Sequence, residues 1–105
     1  MREVKVNGLQ YLVIIAEQNK RKKFLALLDA YDARGIEVVY AHGSMSPSAI
    51  AAAFGFESVH KKVMLTCILK DEKAKALIEL LYQKYNFDKP NTGIAFSIAV
   101  EGMAF

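Results

Sequence analysis

Cysteine is nearly absent: Cys67 is the single one in 105 residues. No disulfide can staple the chain. A thiol inside an apolar run such as Lys62–Leu69 is expected as a small buried hydrophobe, not as a redox or catalytic group. Long apolar runs are also missing. No stretch reaches the length of a membrane span and no signal peptide is recognisable, which leads to the expectation of a cytoplasmic protein without direct membrane insertion. The two histidines, His42 and His60, flank an inserted segment with no carboxylate motif of ligand spacing beside them, so no metal site is read. No Ser/His/Asp, Cys/His or paired-carboxylate arrangement can be assembled, and the chain is not read as an enzyme. The aromatic stacking residues of an RNA-binding sheet are lacking where Met64, Thr66 and Cys67 stand, so no nucleic-acid partner is expected.

What the chain has in plenty is apolar surface. Hydrophobic residues make up 53% of it. One domain spanning residues 1–105 buries roughly 60–70% of its unfolded surface. A single small core would not hide so many apolar side chains, and the surplus points to a subunit interface. The net charge of +3 is concentrated in Lys20-Arg21-Lys22-Lys23, which reads as a solvated surface and not as a nucleic-acid footprint.

The most informative stretch is Lys62–Leu69 (KVMLTCIL). Val63, Leu65, Cys67 and Leu69 alternate with Met64, Thr66 and Ile68, so the strand is apolar on both faces and needs cover on both. Tyr11–Ala16 (YLVIIA) has the same character. Between them, Asn19 is read as the cap of a helix whose Phe24, Leu27, Leu28 and Tyr31 recur at helical spacing and whose C′ residue is Gly35. Ile36–Ala41 follows as a strand. Ser46-Pro47 then opens a short alanine-rich helix that Gly55 stops. Asp71 is read as the N-cap of a second long helix from Glu72 to about Tyr85, with Ala74, Leu77, Ile78, Leu81 and Tyr85 on its apolar face. Ile94–Val100 is the last strand. Its large residues Ile94, Phe96, Ile98 and Val100 share one face, and its small residues Ala95, Ser97 and Ala99 are expected on the face away from the helices. Residues 1–8 read as a loose tail or an edge extension.

Two strand–helix–strand halves in this order predict an α+β ferredoxin-like βαββαβ sandwich. It has a four-stranded antiparallel sheet with two helices on one face and a short extra helix between the second and third strands. The first and third strands become central, matching the two most apolar stretches. Helices on one side only leave the other face for another subunit.

The element order, the glycine loop after the second strand and the closing segment Lys89-Pro90-Asn91-Thr92-Gly93-Ile94-Ala95-Phe96 together resemble the nitrogen-regulatory P-II signalling proteins, in a subgroup with a shortened, helical loop. The resemblance covers residues 9–103 and implies a homotrimer with its sheets turned inward. It also implies a small-molecule effector, with adenine nucleotides bound in clefts between subunits, and a partner protein such as a transporter. Position by position, Gly43 matches a glycine at the base of the partner loop, where backbone passes close to the nucleotide, and the adjoining Ser44 is read as a binding residue beside it. Thr92 and Gly93 match a turn whose N–H groups meet phosphates, and Lys62 matches a lysine that opens the third strand. Ile94 stands where the family has a phosphate-binding lysine, and two arginines expected beyond the last strand have no counterpart before Phe105. Each lost charge-assisted contact is worth roughly 1.5–3 kcal/mol, so the adenine-nucleotide site is expected to be weak.

Three classes follow: a P-II-like trimeric regulator, a metal-responsive trimer similar to the CutA copper-tolerance family, and a structural oligomer without ligand. Met45–His60, with Phe54 and Phe56 as its only phenylalanines, is the segment expected to carry recognition.

Overall fold

The computed structural model describes residues 3–40, 52–53, 61–90 and 92–104. Ala52 and Ala53 are helical. The rest of the short helix expected over 46–56, with Phe54 and Phe56, lies outside the described residues, as do His42, Gly43, Ser44 and His60.

The main sheet is antiparallel with four strands, β2 (Leu9–Glu17), β3 (Arg34–Tyr40), β4 (Lys62–Lys70) and β5 (Ile94–Ala99), in the order β3-β4-β2-β5. The two stretches that are apolar on both faces are therefore the central strands, paired in unbroken register from Leu9 opposite Lys70 to Glu17 opposite Lys62. Helix α1 (Arg21–Ala30) follows a 3-10 turn at Gln18–Lys20, and helix α2 (Asp71–Lys84) leaves β4 directly. Both helices lie on one face. Phe24 and Leu28 of α1 and Ala74, Leu77 and Leu81 of α2 close over Leu12, Ile14, Val63, Leu65 and Cys67 in one buried cluster. Each fully buried leucine or phenylalanine there contributes roughly 1.5–3 kcal/mol.

On the opposite face Val13 and Ile15 are buried among Met64, Ile94 and Phe96, while Tyr11 and Ile98 stay 38% and 56% exposed. Registers decide which side of β5 faces where. Ile94 opposes Ile15, Phe96 opposes Val13 and Ile98 opposes Tyr11, so the large residues share the helix-free face. Ala95 and Ser97 oppose Ile14 and Leu12 on the helix side. The expectation that the small residues face away from the helices is therefore reversed. The physical reason is α2, which runs close over this edge strand and needs short side chains beneath it.

Other local expectations are also corrected. The left-handed residue closing α1 is Asp32 (φ 60), not Gly35. Ala33 N–H donates to Leu28 O at 3.1 Å and Asp32 N–H to Asp29 O at 3.1 Å, the paired bonds of a Schellman closure. Gly35 (φ 59) instead sits in a bulge of β3, where the register to β4 shifts between Arg34 and Glu37. Asp71 is the first residue of α2 and Lys70 its N-cap, without a side-chain cap bond. The Asp71 carboxylate accepts from Gln10 Nε2 at 2.8 Å. Neither Glu17 nor Lys20, the residues preceding the 3-10 turn and α1, makes a side-chain cap bond, and Asn19 lies inside that turn. Residues 3–5 are neither a loose tail nor an added edge of the main sheet: β1 (Glu3–Lys5) pairs antiparallel with β6 (Gly102–Ala104) as a separate two-stranded ribbon.

Candidate functional site

Three of the residues singled out in the sequence come to one end of the sheet. Lys62 opens β4 directly opposite Glu17, the last residue of β2. Thr92 and Gly93 immediately precede β5, whose first residue Ile94 opposes Ile15. Gly93 and Lys62 thus lie at the same sheet end, with the close of β2 between them. Gly43 and Ser44 lie outside the described residues.

Lys62 is only 2% exposed, an uncommon situation for an ammonium group. Burial lowers its pKa from the usual lysine value, and the Glu17 carboxylate opposite partly restores it. The strand end is latched to the turn before α1, where Gln18 N–H donates to Lys61 O at 3.0 Å and Gln18 Nε2 to Lys62 O at 3.3 Å. Arg21, next along, donates to the Tyr40 hydroxyl and places its guanidinium carbon 5.9 Å from that ring's centroid. Lys23 Nζ lies 5.5 Å from the ring centre of Tyr85. Half the basic run 20–23 is therefore fastened to aromatic rings and does not simply project into solvent.

The turn before β5 is shaped by Phe87. Its ring fills the space where a side chain at Gly93 would stand, and it meets Phe24 edge-on at a 5.6 Å centroid distance. A shallow cleft of about 290 Å³ runs along this turn between Tyr82, Phe87, Gly93 and Ile94. Thr92 Oγ1 donates to Pro90 O at 3.5 Å within the same turn. Among the described residues no three His, Cys, Asp or Glu side chains come together to hold a metal ion. No helix among them is long and apolar enough to cross a membrane.

With this geometry in place, the sequence profile described as Nitrogen regulatory protein P-II matches residues 9–104. The chain belongs to the P-II family. Among curated protein sequences none matches this P-II chain. Solved structures do. It superposes on the apo form of CPII from Thiomonas intermedia K12, a nitrogen regulatory PII-like protein, with a TM-score of 0.68 at 17% identity, covering 98% of this chain and all 100% of that one. The same Thiomonas protein bound to ADP, AMP and acetate gives 0.64 at 19% identity, covering 98% and 90%. CutA from Synechococcus elongatus PCC7942 gives 0.63 at 8% identity, covering 97% and 85%, a likeness of fold.

In this P-II chain Ile94 packs against Val13 and Ile15 on the helix-free face. Glu17 is not singled out by the sequence alone. The signal that finds it is the pairing register, since only counting along both central strands sets it opposite Lys62. Phe87 escapes notice for a similar reason: its contact with Gly93 closes a turn whose path spacing does not specify.

Proposed function

We propose that this P-II chain forms a homotrimer through its helix-free sheet face and acts as a regulator. Each cleft between subunits would take a small ligand at the Lys62–Gly93 end, and the 42–60 segment would pass its state to a partner protein. The carrying observation is that face itself. Val13 and Ile15 are buried within it, Met64, Ile94 and Phe96 are half-buried, and Tyr11 and Ile98 remain open. A neighbouring copy would cover them, as an unpartnered apolar patch requires.

The ligand set comprises Lys62, Thr92 and Gly93, with Gly43 and Ser44 contributed by the loop. Lys62, opposite Glu17, is the basic residue at this end, and an arriving anion would favour its charged form as the Glu17 carboxylate does. The Thiomonas protein, bound to ADP and AMP, supports an adenine nucleotide as ligand class. Ile94 in the lysine position leaves that affinity weak.

Isothermal titration with ADP, AMP, ATP, 2-oxoglutarate and divalent metals tests the reading. Adenine-nucleotide binding weaker than micromolar is expected, lost in Lys62→Met while the oligomer persists. Metal binding with no nucleotide response would instead favour a CutA-like role, and silence toward all of them a structural oligomer.

A further inference from the structure

A second cleft, of about 640 Å³, opens at the opposite end of the sheet from Lys62 and Gly93. Its volume falls within the roughly 300–1,000 Å³ of small-molecule sites. It exists because β3 departs from its ladder there. Arg34 opposes Ile68, Glu37 opposes Thr66, and Gly35 takes the left-handed conformation between them, as a β-bulge that bends the strand does. Tyr31, Ile68 and Leu69 form apolar walls, and Met103 of the β1–β6 ribbon, 42% exposed, stands at the rim.

The charged lining is not balanced. Lys73 and Asp32 sit 3.8 Å apart and offset one another. Arg34 and Lys70 remain against Glu72 alone, an excess of one positive charge. Among the described residues neither Arg34 nor Lys70 has an ion-pair partner. A guanidinium fork beside apolar walls is suited to a carboxylate carried on a hydrocarbon body.

We propose that this cleft is a binding site for a small amphipathic anion, a medium-chain carboxylate. The acid group pairs with Arg34 and Lys70, and the chain lies against Ile68 and Met103. The site is separate from the Lys62–Gly93 end and stands or falls independently of nucleotide binding.

Methionine-methyl NMR tests it, because Met103 marks the cleft and Met64 marks the helix-free sheet face. Decanoate, kept below its micelle concentration, is expected to shift the Met103 signal saturably while Met64 stays in place. The Arg34→Glu/Lys70→Glu double variant should bind decanoate at least about tenfold more weakly, since two charge-assisted contacts are replaced by repulsion. Its unliganded Met64 and Met103 signals report whether it has folded. Decanol, which lacks the charge, should bind both proteins equally and weakly. An unmoved Met103, a shift confined to Met64, or decanoate affinity unchanged by the double variant would each overturn the proposal.

Discussion

Phe87 and Gly93 are fitted to one another across the turn that opens β5: a Cβ built on Gly93 would lie 2.3 Å from Phe87 Cζ. Phe87 cannot easily retreat, because its ring also meets Phe24, and Phe24 in turn meets Tyr85 at 5.6 Å. Gly93 is needed here for close approach, and the same bare backbone is what a phosphate-binding turn would offer a ligand. Gly93→Ala should therefore destabilise the protein by about 1–3 kcal/mol through overpacking. The Gly93→Ala/Phe87→Leu double variant should cost less than the sum of its parts, a coupling that urea titration of the four proteins measures.

Gly35 is glycine for a different reason. Nothing lies within 4 Å of a Cβ there, but its φ is +59°. Gly35→Ala should cost about 1–2 kcal/mol from backbone conformation alone. Gly35→Asn should cost less, because asparagine tolerates this region better. Equal losses in thermal unfolding for the two would contradict this.

Adjacent residues on β5 should behave oppositely. Ile98 faces the helix-free side and is 56% exposed in the single chain, whereas Ala99, opposite Gln10, lies on the other side. Ile98→Asp would bury an uncompensated charge in the proposed interface and should dissociate the oligomer. Ala99→Asp should leave its mass unchanged by light scattering.

Alkaline stability isolates Cys67. Burial pushes its thiol from 9.0 up to about 11, so the folded state keeps a proton that the unfolded chain releases. That contribution is fully present below pH 9 and is lost as pH rises through about 11, amounting to about 2–3 kcal/mol in all. Lys62 acts in the reverse sense. Its folded pKa is lowered below 10.5, so stability gains as pH climbs toward that value. Comparing the wild type with Cys67→Ala by urea unfolding between pH 8 and about 10.5 separates the two. The variant should be less stable at pH 8, from its cavity, yet lose less stability as pH rises.

How far the sequence could be read depended on the range of the information. The central strands were legible because apolarity on both faces of Tyr11–Ala16 and Lys62–Leu69 is a local property that any covering layer must satisfy. The orientation of Ile94–Val100 was not, since a strand of alternating large and small residues fits either way until the Ile94–Ile15 register and α2 decide. Asp32 and Gly35 could each close α1, and the choice fell to the Schellman bonds at Leu28 and Asp29. The β1–β6 ribbon joins the two ends of the chain and has no local mark. At the site, Lys62 and Gly93 were visible as residue types, but their shared sheet end came only from pairing.

The measurement that bears most directly on the proposed role is the mass of the wild-type protein in solution, by sedimentation equilibrium at micromolar concentration. A homotrimer closing its helix-free faces on one another should give three times the chain mass of 11.7 kDa. A stable monomer would leave Tyr11 and Ile98 open to water with no cleft between subunits, and would contradict the proposed function.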